Sequence, residues 1–179
     1  MSRFRASGLR VPLGYTAGAL VLFLARPTPT SLLGGSGLAV LGEAIRLWAS
    51  GHIEKTERLA TGGPYAHTRN PLYVGSLILA FGVAVAAANP WVVGAVALYF
   101  AAFYPAVMRE EAAFLRQKFP AEYAAWEAEV PLLIPRLAPS GPRSSRFEWG
   151  RVTRNREWRT ALAVPLVIAL FYALSLLGR

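Results

Sequence analysis

The chain has 179 residues, 54% of them hydrophobic and only 16% charged, against about 25% charged in ordinary soluble domains. That length fits one domain with an appended tail, and the apolar excess favours a membrane class. Cysteine is absent and histidine occurs only twice, which excludes disulfides, thiolate metal sites and a histidine-rich metal centre.

Arg3, Arg5 and Arg10 open the chain ahead of an apolar run, like the start of a signal peptide, yet no small-residue cleavage site follows before Arg26-Pro27. An uncleaved first span is expected at about Val11 to Ala25, with Gly14 and Gly18 spaced for close helix packing. It is short for a ~30 Å hydrocarbon core, which takes roughly 20 residues. Arg26-Pro-Thr-Pro-Thr30 reads as a turn, and a second span as Ser31 to Ala49. Near its end Glu43 and Arg46 share a helix face; they either hold the helix end or stand beside a site. Gly51 to Thr61 is polar and carries His52, Lys55 and Arg58.

Next comes Gly63-Pro-Tyr-Ala-His-Thr-Arg-Asn-Pro-Leu-Tyr-Val-Gly75. Asn70-Pro71 marks a helix start, since proline lacks an amide donor and suits the first helical turn. The apolar run from Leu72 to Ala88 is the third span. A polar, aromatic and cationic cluster at the mouth of a membrane helix is costly, and is therefore a site candidate. Asn89-Pro90 is a tight turn into a fourth run, Trp91 to Met108, so these two runs form a hairpin. Arg109 to Phe119 is helical and amphipathic. Pro120 interrupts it, and a short helix follows with Tyr123 and Trp126 on one face. Val130-Pro-Leu-Leu-Ile-Pro135 is too rich in proline for helix or central strand, and reads as an extended lid or surface segment. Pro139 to Thr160 is basic, and Ala161 to Leu177 is the last apolar run.

The expected fold is all-α, an integral membrane bundle of about five transmembrane helices. An N-terminal helical pair over residues 1–50 precedes a core over 51–138, and a basic interfacial segment with the last helix fills 139–179. With the N-terminus in the cytoplasm, all 19 Lys and Arg except Arg26 and Arg179 lie inside or at that boundary, as retention of positive charge requires. The expected location is a prokaryotic cytoplasmic membrane. The arginines from Arg143 to Arg159 alternate with Phe147, Trp149 and Trp158, a pattern also seen in nucleic-acid binders. Beside a membrane helix, anionic headgroups and aromatic anchoring explain it, so no nucleic-acid partner is expected.

Three pieces should converge on the cytoplasmic side: the His67/Arg69 cluster, Glu110-Glu111, and Tyr123 to Pro135. The hairpin brings the inner ends of spans three and four together, with Arg69 within reach of a glutamate. That pairing either satisfies two charges at a helix boundary or lines a pocket for a zwitterion. Gly34-Gly35-Ser-Gly37 lacks a preceding strand and the nucleotide-loop spacing, and reads as helix packing.

Gly63-Pro-Tyr-x-x-x-Arg-Asn-Pro-x-Tyr-x-Gly75, Glu110-Glu111, Phe119-x-x-Glu-Tyr123 and Val130-Pro131 together resemble the isoprenylcysteine carboxyl methyltransferase family, which is related to the phospholipid methyltransferases. The resemblance covers about Gly51 to Pro135. Asn70 departs from it where histidine is common, and Pro120 where glycine often stands. The resemblance implies a membrane methyltransferase using S-adenosyl-L-methionine without a Rossmann domain, with the lid closing over the cofactor. It implies cofactor contacts among Tyr65, His67, Arg69, Pro71, Tyr73, Gly75, Glu110 and Glu111, and no metal. Glu110 or Glu111 would take the cofactor's ammonium, and Arg69 or His67 its carboxylate. Tyr65 and Tyr73 would stack on adenine or face the sulfonium. The acceptor would be a lipophilic small molecule or lipid. Carboxyl methylation leads, with Arg69 or Arg136 orienting the acceptor and Arg69, Glu110 and Arg136 as catalytic candidates. Amine N-methylation, with glutamate as base, follows it. A lipid-binding scaffold that lost turnover and a nicotinamide-dependent reductase are the competing classes.

Overall fold

Proline opens four of the helices, because its missing N–H costs nothing in the first turn. The computed structural model describes residues 18–54, 58–141 and 145–178, and these are helical apart from turns and extended connections. A helical stretch at 18–24 leads into α1 (Pro29–Ser50). Thr28 caps α1: its Oγ1 accepts from the Ser31 amide at 3.1 Å, while Ser31 Oγ accepts from the Thr28 amide at 2.9 Å. A 3-10 turn at Gly63–Ala66 precedes α2 (Pro71–Ala86). Ala88, at φ 49°, turns the chain within the short link to α3 (Pro90–Lys118), where Asn89 Oδ1 accepts from the Trp91 amide at 2.9 Å. Helices α4 (Pro120–Glu129), α5 (Trp149–Arg154) and α6 (Trp158–Leu176) complete the order.

Helices α1 and α2 run antiparallel with their backbones in contact. A Cβ added to Gly42 would stand 2.6 Å from the Gly75 carbonyl oxygen, and one on Gly82 would stand 2.7 Å from that of Gly35. The approach exists because these positions carry no side chain, the usual device of membrane helix pairs. At one end of the pair, Ala25, Ala84, Ala86, Ala87, Val92 and Phe171 form a buried cluster. At the other, Ala49, Leu59, Tyr65, Tyr123, Trp126 and Val130 form a second, which underlies the site.

Helices α1, α3 and α6 are long and apolar enough to cross a membrane. Little of α3 and α6 is buried in the protein: Leu98, for example, is 72% exposed. Apolar faces left bare on that scale find their cover in lipid. Helix α2 has 16 residues, about 24 Å at the α-helical rise, and is shorter than a full crossing. Of the first expected span, residues 11–17 lie outside the described residues, and 18–24 are helical. The fourth expected span and the amphipathic stretch after it are one helix of 29 residues, about 44 Å long. The change of pattern at Arg109 is therefore a change of surroundings along an unbroken helix. Pro105 sits within it without ending it.

Candidate active site

The Gly63–Ala66 turn fixes the near wall. Gly63 has φ +57°, and a side chain there would strike the buried His52 ring. Tyr65 is buried beside it, and its carbonyl accepts from Trp126 Nε1 at 2.9 Å, which docks α4 under the turn. Burial, and next the neighbouring Glu111, push the Tyr65 phenol well above its ordinary range, so it stays protonated.

Arg69 follows. Its amide donates to the Pro131 carbonyl at 2.8 Å, and its Nη1 donates to Glu127 and to the Tyr123 hydroxyl, the latter at 3.3 Å. The side chain is 13% exposed, and its buried Nε has no hydrogen-bond partner among the described residues. Glu127 also takes Nε and Nη2 of Arg116 at 3.1 and 2.6 Å. The hydrogen bonds from Arg116 first, and those from Arg69 after them, hold the Glu127 carboxyl below the usual carboxylate range.

Across the hairpin the Tyr73 hydroxyl donates to Glu111 Oε2 at 2.8 Å. Deeper along α1, Arg46 Nη1 donates to Ser76 Oγ, and Nη2 pairs with Glu157 at 2.5 Å. Its Nε stands 3.6 Å from Glu43, whose buried carboxylate accepts no hydrogen bond among the described residues.

These residues enclose two adjoining cavities. The larger, about 260 Å³, lies between an apolar wall that includes Leu59, Met108, Phe114 and Phe119 and a polar edge of Arg69, Asn70 and Glu111. The smaller, about 180 Å³, continues past Tyr65, Arg69, Asn70 and Glu111 to Pro71, Tyr73, Ser76 and Arg46. Each alone falls below the ~300 Å³ typical of ligand clefts; joined, they exceed it. An apolar slot meeting a cation and a carboxylate can hold a molecule that is flat and apolar at one end and zwitterionic at the other.

Of the residues singled out in the sequence, Tyr65, Arg69, Pro71, Tyr73 and Glu111 meet around the cavities. Glu110 is exposed and lines neither. Gly75 serves the α1–α2 contact, where an added Cβ would meet the Gly42 carbonyl at 2.8 Å. His67 turns to the strap that follows α4: its Nδ1 lies 2.7 Å from the Arg136 carbonyl oxygen, and its ring faces Trp48. Arg136 folds onto its own segment, with Nη1 donating to the Glu129 carbonyl at 2.9 Å. Residues 131–135 lie outside both linings; Asn70 and Thr68 hold their carbonyls from the far side of the turn.

Glu127, Ser76 and Arg116 were not singled out. The signal for Glu127 was present, because Tyr123, Trp126 and Glu127 share one helix face. Arg116 and Ser76 carry no local mark; only tertiary packing recruits them.

The chain matches the phospholipid methyltransferase family over residues 30–122, which takes in α1, the turn, α2, α3 and the start of α4. It belongs to that family and is an integral membrane protein. It is 40% identical over 106 residues to the cobalt-zinc-cadmium resistance protein CzcN of Cupriavidus metallidurans, covering 58% of this chain and 47% of that protein. It is 35% identical over 106 residues to the nickel-cobalt-cadmium resistance protein NccN of Alcaligenes xylosoxydans xylosoxydans, covering 58% and 48%. The chain thus spans about half the length of the curated relatives it matches. No solved structure matches it.

Proposed function

We propose that the protein is an S-adenosyl-L-methionine-dependent methyltransferase acting on a lipophilic acceptor, with its cofactor pocket at the cytoplasmic face of a bundle of about five membrane helices. The observation that carries this reading is the meeting of Arg69, Glu111 and an apolar slot in one pair of joined cavities, within a methyltransferase family.

The residues present suit the cofactor. Arg69 lines both cavities with its Nη1 held by Glu127 and Tyr123, a fixed positive charge for a carboxylate. Glu111 accepts from the Tyr73 hydroxyl and forms no ion pair among the described residues, so its charge is offered to an ammonium or sulfonium. Leu59, Phe114 and Phe119 offer adenine a flat apolar wall. When bound, the cofactor supplies an electrophilic methyl group on sulfur. The chain's part is to hold the acceptor in line and keep water out. A lipophilic acceptor would approach sideways from the bilayer, whose exposed apolar helices it already contacts.

Two acceptor classes follow from the same residues. A carboxylate, as in an isoprenylcysteine-like compound, would be oriented by Arg69 and needs no base. An amine would lose its proton to Glu111. The motif pattern favours the first, whereas the family and the open charge of Glu111 favour the second. Membranes incubated with enzyme and methyl-labelled cofactor, with the lipids read by mass spectrometry, separate them. Methanol released from the labelled product by mild alkali marks an ester; label that survives marks an amine. No label in any lipophilic product would sink the proposal.

The names of the two relatives connect them with resistance to cobalt and cadmium, and to zinc in one and nickel in the other. We extend that setting to this chain as the circumstance in which its product is made. Unchanged cadmium tolerance in a deletion strain would remove this extension and leave the chemistry intact.

A further inference from the structure

We propose that the strap after α4, residues 131–137, is a membrane-interface anchor whose Leu132, Ile134 and Leu137 side chains sit in the headgroup–acyl boundary. Ile134 is 81% and Leu137 101% exposed, although both lie outside any helix and the chain around them is tightly held. Exposed apolar side chains on a mobile loop can shelter against one another. On a fixed strap they face whatever lies outside.

The strap is tied to the protein through the backbone of residues 131–133 and 136, on either side of Ile134 and next to Leu137. Val130 is buried with Tyr123 and Trp126. Arg69 donates to the Pro131 carbonyl, Thr68 Oγ1 to those of Leu132 and Leu133 at 3.2 and 3.1 Å, and Asn70 Nδ2 to that of Leu132 at 2.8 Å. The Arg136 amide donates to the His67 carbonyl at 2.9 Å, and the Ser140 amide to that of Ala66 at 2.9 Å. The guanidinium of Arg136 is likewise turned inward, to Glu129. With so many polar groups of an irregular segment satisfied by the protein, the segment can enter a layer poor in water, where unmet carbonyls would be costly.

The level of the strap also fits. Its Arg136 is bound to His67, whose ring lies 6.1 Å from that of Trp48. Trp48 is half-exposed in the last turn of α1, the place where an aromatic side chain marks the membrane–water boundary of a span. This inference rests on the reading that α1 and α3 cross the bilayer.

Because the chain has no cysteine, single labels report cleanly. Ile134→Cys and Leu137→Cys, labelled with a polarity-sensitive fluorophore, are reconstituted in phosphatidylcholine–phosphatidylglycerol nanodiscs carrying nitroxide lipids. Leu98→Cys on α3 and Gln117→Cys in its last turn are the membrane and water references. The inference expects blue-shifted emission at 134 and 137, and a marked loss of fluorescence with nitroxide near the glycerol. Loss should be small with nitroxide at the chain end or with a soluble quencher. Quenching by the soluble quencher at Ile134 and Leu137, with Leu98 still lipid-quenched, overturns the anchor alone. Blue-shifted emission without lipid quenching, rising with protein concentration, also overturns it by making a second copy the partner. Failure of Leu98 to respond to any nitroxide lipid would instead defeat the membrane reading beneath it.

Discussion

Glu127 accepts from two arginines on different elements, Arg69 ahead of α2 and Arg116 at the end of α3. The two arms are unequal. Arg116 is more than half exposed, and such a pair contributes only ~0–1 kcal/mol. Arg69 is mostly buried, and leaving it without its carboxylate costs about 1–3 kcal/mol. Glu127→Gln should therefore lower stability mainly through Arg69. The pH dependence has a definite sign. The folded carboxyl is held below its ordinary value of 4.5, so its contribution is complete above that pH and fades as pH falls through the lower folded value. Thermal unfolding in detergent should show wild type and Glu127→Gln well separated at neutral pH and converging in acid. A constant gap down to strong acid would contradict this.

On the scale of elements, the contact between α1 and α2 makes a prediction with a built-in control. A Cβ at Gly42 or Gly82 would press on carbonyl oxygens that cannot yield, whereas at Gly37 and Gly94 it meets nothing within 4 Å. Gly42→Ala and Gly82→Ala should each destabilise by about 1–3 kcal/mol as overpacking. Gly37→Ala and Gly94→Ala should be neutral or slightly stabilising in the same unfolding assay, since alanine is the better helix former. The elements were largely legible in the sequence, because Pro71, Pro90 and Pro120 mark breaks or starts visible there; Pro29, read as part of a turn, is instead the first residue of α1. Two further features were not legible. Hydropathy falls at Arg109 where α3 leaves its apolar surroundings, and that fall looks like a helix end although the backbone continues. The glycines at Gly34 to Gly37 looked like one packing patch, yet only Gly35 faces α2; the others point to open space. Which side of a helix meets its neighbour depends on a partner that lies more than forty residues away in sequence.

At the scale of the whole molecule, the candidate site was legible as three converging segments, of which the third contributes Tyr123 and Trp126 but not residues 131–135, and illegible in its pairings. Tyr73 and Glu111 do meet across the hairpin, as the Asn89-Pro90 turn implies. Arg69, expected near Glu110 or Glu111, pairs instead with Glu127 of α4, because Trp126 docks that helix against the Tyr65 carbonyl. Orientation can be tested on intact cells with a membrane-impermeant thiol reagent. With the cofactor face in the cytoplasm, Trp91→Cys at the start of α3 should react from outside, and Gln117→Cys at its end only after lysis. The reverse pattern would place the charged face outside and contradict the proposed topology.

The central claim is that Arg69 and Glu111 frame a pocket for a sulfonium amino-acid nucleotide. Titration calorimetry of the purified protein with S-adenosyl-L-methionine and with its demethylated product tests it most directly. The account predicts saturable binding of both, lost in the Arg69→Ala, Glu111→Ala double variant while that variant retains its helical content. Absence of binding to the wild-type protein in a lipid nanodisc, with its fold intact, would contradict it.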